Sequence, residues 1–194
     1  MLIRDVDADR DAAACAAIYA PYVCDTAISL EERAPTPDDF AERIERITRT
    51  HPWLIAEDGD EVVGYAYGAR HRDRASYRWA TDVAVYVTPG RHRRGIGRAL
   101  YRTLFDLLAE QGYRIACAGI TLPNDGSVGL HEALGFEPVG VYRNIGFKHG
   151  AWRDVGWWQL TLPGDGDGDG DGDSDGDRPP REPGPPIRLA GRGA

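Results

Sequence analysis

Lysine, methionine and cysteine are nearly missing from this 194-residue chain, and no apolar run comes close to bilayer length. Lys148 is the only lysine and Met1 the only methionine. A chain without about 20 consecutive apolar residues has no helix to place across a membrane. The opening MLIRDVDADRD has no apolar stretch of the kind a secretory leader needs, so a cytoplasmic protein is expected. Three cysteines, Cys15, Cys24 and Cys117, stand too far apart for a C-x-x-C metal or redox motif, and their odd number speaks against a disulfide framework. They read as free thiols, and none is a candidate nucleophile.

The net charge of −8 divides evenly at Pro163. Beyond it lie seven Asp and Glu182 against four Arg, a net of −4, and residues 1–162 carry the other −4. Binding nucleic acid requires a basic face to neutralise phosphates, so this balance disfavours that class of partner. Residues 163–194, PGDGDGDGDGDSDGDRPPREPGPPIRLAGRGA, have almost nothing to bury and are expected to remain a disordered tail. Alternating Asp resembles a calcium loop, but no bidentate Glu follows at the required offset, so no metal site is expected.

Residues 1–162 alternate strand and helix signals. Strands are expected at Leu2–Val6, Trp53–Glu57, Val62–Ala69, Tyr77–Val87, Arg114–Thr121, Glu137–Phe147 and Ala151–Leu162. Helices are expected from an Asp7 or Asp9 cap to about Ala20, from Pro37 to before His51, over Gly95–Gln111 and over Asn124–Leu134. The order β-α-α-β-β-β-α-β-α-β-β, with three consecutive strands on short turns, predicts an α/β domain with a mixed central sheet flanked by helices.

One stretch carries chemistry. VYVTPGRHRRGIGRA, residues 85–99, is a strand running into a glycine loop and a helix start. Gly95 and Gly97 allow close backbone approach, and the helix amides and dipole favour an anion. The guanidinium groups of Arg93, Arg94 and Arg98 would add charge-assisted bonds, a combination suited to a pyrophosphate. Neither G-x-x-x-x-G-K-[ST] nor G-x-G-x-x-G is present, which argues against a triphosphatase loop and a dinucleotide fold. Taken alone, the loop is also compatible with solvated arginines at a helix start, the lesser of the two readings.

These residues resemble the GNAT superfamily, which carries [QR]-x-x-G-x-[GA] at this step, and within it the small amino-acid N-acetyltransferases of the phosphinothricin type. The resemblance extends through HPWLIAE (51–57), VVGYAY (62–67), RRGIGRALY (93–101), LPNDGSVGLHEALGF (122–136) and GFKHGAWRDVGWWQL (146–160). It implies acetyl-CoA as acetyl donor and a small-molecule amine as acceptor, with direct attack and a homodimer. It places the backbone of Val85, Tyr86 and Val87 along the pantetheine arm, Arg93, Arg94, Gly95, Ile96, Gly97 and Arg98 at the pyrophosphate, and Asn124 and Ser127 near the sulfur end. The chain departs from the pattern twice. His92 stands at the Gln/Arg position, and Asp82 stands where the subgroup's carboxylate is Glu, roughly 1.5 Å shorter in reach.

Asp82 reads either as a base or proton relay or as a salt-bridge partner, since an acid in an apolar strand is costly unless solvated or used. His149, in the FKHG turn, is either a base or substrate contact or an ordinary turn histidine. His131 either protonates the departing thiolate or is a satisfied helix histidine. Arg72, Arg74 and Tyr77 precede the long strand and could fork a carboxylate or phosphinate, and Leu30, Glu31 and Phe147 could line an acceptor pocket. Acetylation of a protein N-terminus or polyamine, and a non-catalytic acyl-CoA-binding module, are the alternative functions.

Overall fold

The computed structural model describes residues 1–163 and 181–189. A single seven-stranded sheet runs β1-β2-β3-β4-β5-β7-β6. Its strands are β1 Leu2–Asp5, β2 Trp53–Asp58, β3 Glu61–Arg70, β4 Ala80–Val87, β5 Ile115–Leu122, β6 Glu137–Lys148 and β7 Ala151–Thr161. Every neighbouring pair is antiparallel except β4 and β5, so the sheet is mixed, as the element order predicts.

Helices α1 Ala8–Cys24 and α2 Pro37–Thr48 cover one face, packing Ile18, Tyr19, Val23, Phe40 and Ile44 against Trp53, Ile55 and Tyr65. α3 Ile96–Gln111 and α4 Asp125–Glu132 cover the other; Leu100, Leu104, Leu107 and Leu108 of α3 meet Leu54, Val63, Ala66 and Val83. Local chemistry sets the helix starts. The Asp7 side chain accepts from the Arg10 amide, and Thr36 with Asp39 closes a capping box ahead of Pro37. None of the helices in the described residues is long and apolar enough to cross a membrane.

Three local expectations need correction. α1 passes Pro21 and ends at Cys24, because Val23 is buried and Tyr22 donates to the Val87 carbonyl, contacts that offset the hydrogen bond proline cannot make. The strand expected from Tyr77 begins only at Ala80, after a 3-10 turn at Ala75–Tyr77. Part of the tail is packed rather than solvated. Trp79 Nε1 donates to the Arg181 carbonyl at 2.9 Å, Gln111 Nε2 donates to the Gly184 carbonyl at 2.9 Å, and Ile187 and Leu189 pack against the core. The Asp-Gly tract, with its weighed calcium-loop likeness, lies outside the described residues.

Candidate active site

β4 and β5 run side by side only over Ala80–Ile115, Thr81–Ala116 and Asp82–Cys117. Beyond Asp82 they part, and β5 keeps pairing with β7 on its other edge over eight residues. The edge of β4 from Val83 to Val87 that faces away from β3 is therefore left without a strand. Main-chain N–H and C=O groups on such an edge need partners. A groove of about 660 Å³ opens there, lined by Val85, Val87, Arg93, Gly95, Ile96, Gly97, Arg98, Asn124, Ser127 and Leu130.

At one end of the groove α3 begins. Gly95 holds φ +82°, a left-handed conformation that a Cβ would strain. The first helical hydrogen bond is from the Ala99 amide to the Gly95 carbonyl, 2.9 Å, so the amides of Ile96, Gly97 and Arg98 precede the helical ladder. Gly97 has a different role: a Cβ there would lie 3.2 Å from Leu130, so its absence lets α3 approach α4. Arg93 and Arg98 line the groove, while Arg94 does not. Arg91 joins Asp58 and Glu61, tying the loop to the β2–β3 hairpin. At the other end Asn124 Oδ1 accepts from the Ser127 amide, 3.2 Å, which caps α4 and fixes both residues on the groove wall. Tyr22 and His92 complete the wall. The Tyr22 hydroxyl occupies the Val87 carbonyl and lies 2.7 Å from His92 Nε2, so Val87 has one acceptor already committed. Tyr22 could not be anticipated, because Pro21 is expected to end the helix before it.

Asp82 stands at the fork, on the face shared with Ala69 and Cys117, its partners on the adjoining strands. Its Oδ1 lies 2.6 Å from Nδ1 of His71, a residue no strand or helix spacing marks. Burial raises the Asp82 carboxyl above its ordinary value, while the His71 hydrogen bond and the charges of His71 and Arg72 pull it back. Burial and the nearby Asp82 push the Cys117 thiol up to about 11, so it is protonated at neutral pH and is a poor nucleophile. The ring of Trp157 lies edge-on to His71 and carries the Arg72 guanidinium 5.4 Å above it.

The other candidate side chains are dispersed. Arg72, Arg74 and Tyr77 do come together, along a groove of about 850 Å³ that also holds Arg43, Arg46, Arg49, Arg70 and Arg78. His131 is buried in the core. Its Nδ1 donates to the Ser127 carbonyl at 2.7 Å and its Nε2 lies 3.1 Å from the Tyr101 hydroxyl, so both nitrogens are engaged, and burial lowers its pKa. It is not on the wall of the cofactor-sized groove. His149 is exposed at φ +51°, 3.1 Å from the Thr26 carbonyl. Glu31 pairs with Arg43 at 3.0 Å, Leu30 packs over Gly146, and Phe147 is exposed beside Trp152.

Lys148 links these last elements. Its buried ammonium donates to the carbonyls of Val23, Ser29 and Glu31 at 2.6, 2.6 and 2.8 Å, pinning the loop after α1 to the β6–β7 turn.

The chain matches the acetyltransferase (GNAT) domain family over residues 5–157. It is 39% identical over 149 residues to the phosphinothricin N-acetyltransferase of Streptomyces viridochromogenes, covering 77% of this chain and 81% of that protein. It is 33% identical over 163 residues to the L-methionine sulfoximine/L-methionine sulfone acetyltransferase of Salmonella typhimurium, covering 84% and 95%. A crystal structure of a GNAT superfamily phosphinothricin acetyltransferase from Sinorhizobium meliloti, in complex with acetyl-CoA, superposes with a TM-score of 0.80 at 32% identity, covering 89% of this chain and 94% of that one. The chain belongs to the GNAT acetyltransferase family, and is an acetyl-CoA-dependent N-acetyltransferase.

Replacing Lys148 by Met removes three charge-assisted bonds while keeping the apolar stem. The expected result is a loss of about 2 kcal/mol in urea unfolding, with faster amide exchange in residues 25–31 and the sheet left intact.

Proposed function

We propose that this enzyme transfers the acetyl group of acetyl-CoA to the α-amine of a small amino acid or analogue, of the phosphinothricin or methionine sulfoximine type. The observation that carries the reading is the parting of β4 and β5 at Asp82. It joins a cofactor-sized groove, ending at the free amides of α3, to a half-buried carboxylate beside a histidine. The groove fits an acyl-CoA. The Val83–Val87 edge offers main-chain groups to the pantetheine amides, and Ile96, Gly97, Arg93 and Arg98 face the pyrophosphate end. Acetyl-CoA supplies an activated thioester; the protein's tasks are to position it, receive the amine and accept its proton.

The arginines of the second groove suit an acceptor that carries an anionic group; of its residues Arg72 follows His71 in the chain and Tyr77 lies edge-on to the His71 ring. Asp82 belongs to the proton-accepting centre, and Leu30, Glu31, Phe147 and His149 form an outer rim held by Lys148. The reaction uses no metal ion. Three free cysteines fit a reducing compartment, the cytoplasm.

Two identical chains are proposed to pair through β6. This edge strand and the start of β7 expose Val139, Val141, Ile145, Phe147 and Trp152, an apolar strip that would otherwise be wetted. Sedimentation of the wild type should give a dimer, and the double variant Ile145→Glu, Trp152→Glu a monomer; a wild-type monomer contradicts the pairing.

Thiol release from acetyl-CoA, followed across amino acids, phosphinothricin, methionine sulfoximine and polyamines, tests the reaction. Small amino acids or these analogues are expected to drive it, and Asp82→Asn to lower kcat by about 10²-fold. Turnover confined to polyamines, or an unaffected Asp82→Asn enzyme, contradicts the reading.

A further inference from the structure

The chain leaves β3 at Arg70, and the next residue turns its ring back over the sheet to reach Asp82. An ionised carboxylate only accepts hydrogen bonds, so in the 2.6 Å contact Nδ1 of His71 carries the proton. The neutral ring then keeps its lone pair on Nε2, which has no hydrogen-bond partner among the described residues. The side chain is only 15% exposed. Tyr77 and Trp157 meet the ring edge-on, both with centroids 5.9 Å away. Arg72 Nη1 donates to the His71 carbonyl at 2.8 Å and its guanidinium covers Trp157. Contacts from β4, β7 and the 3-10 turn thus fix this ring in one orientation.

We propose that His71 is the catalytic base and that Asp82 is its positioning residue, a division of labour that rests on the acetyl-transfer reading above. Asp82 is one methylene short of a glutamate at the same place, and the imidazole takes over the missing reach with its second nitrogen. The carboxylate holds the tautomer and favours the imidazolium that forms on proton uptake. The remaining charged or titratable neighbours are Arg72, Tyr77 and Cys117, whose Sγ lies within 4.8 Å of a ring nitrogen of His71 and of a carboxylate oxygen of Asp82. A general base must reach the proton it accepts, and Nε2 is the ring nitrogen that Asp82 does not occupy.

In the proposed step Nε2 accepts one proton from the substrate ammonium and frees the nitrogen lone pair. The nitrogen attacks the thioester carbonyl carbon; the N–C bond forms, the C–S bond breaks, and sulfur leaves with the bonding pair. The second proton lost by nitrogen ends on the sulfur as thiol, and the imidazolium returns its proton to solvent.

The decisive variant is His71→Asn, whose amide can still donate to Asp82 near the position of Nδ1 but has nothing in place of Nε2. It should fold as the wild type, keep its KM for acetyl-CoA, and lose about 10²-fold in kcat. The acid limb of the wild-type kcat/KM profile should disappear with the imidazole. Adding Asp82→Glu to His71→Asn should restore part of kcat, because Glu regains direct reach. Long-range proton–nitrogen correlation on the wild type should show His71 protonated on Nδ1. A His71→Asn enzyme with wild-type kcat and pH profile, or a His71 ring protonated on Nε2 instead, overturns the assignment. Wild-type inactivity on every amine would count against the acetyl-transfer reading instead, and the tautomer would still decide the role of Asp82.

Discussion

The separation of β4 from β5 after three residue pairs is the constraint on which the rest depends. A sheet normally satisfies its main-chain groups strand by strand. Here β5 commits its far edge to β7 along its whole length, while its near edge leaves β4 at Cys117. The fork creates a groove floored by main chain, sets Asp82 where the sheet opens, and aims the start of α3 at the groove's end. None of these features could be supplied by side chains alone. Substitutions that only repack the helices should leave the fork in place, because it is set by strand register.

Electrostatics at the site run against the charge of the whole chain. The protein carries −8, yet Arg93 and Arg98 line the groove at the positive end of α3, and a second groove is walled by arginine. Anionic ligands are held by local fields over a few ångströms, since surface charges farther away are screened by salt. Some acids elsewhere serve structure. Buried Asp11 bonds Arg4 at 2.6 and 2.7 Å, and Arg4 and Arg10 both reach Glu57, joining α1 to the first two strands.

Much of this architecture is legible in the sequence because it is local. The alternation of Val83, Val85 and Val87, the leucine stripe of α3 and the Asp-Gly hairpin turn each have a period or a turn residue behind them. The glycine loop is legible for the same reason: the left-handed Gly95 and the arginines around it sit within a few residues. What could not be read is whatever depends on register or on distant packing. His71 carries no spacing signal, and only the offset between β3 and β4 brings it to Asp82. Ile187 and Leu189 are isolated apolar residues among prolines, so their return to the core is invisible to composition. Tyr22 lies past a proline that ordinarily stops a helix. For His131 the motif is legible but its surroundings are not: Tyr101 and the Ser127 carbonyl meet its two nitrogens.

The central claim is that the start of α3, at the end of the β4–β5 fork, is a pyrophosphate cradle. Titration calorimetry of the full chain with coenzyme A and with 4′-phosphopantetheine, which keeps the arm but lacks the pyrophosphate, tests that claim. Coenzyme A should bind more tightly by about tenfold or more, some 1.4 kcal/mol or above, and the difference should shrink as salt is raised. Equal affinity for the two ligands would contradict it.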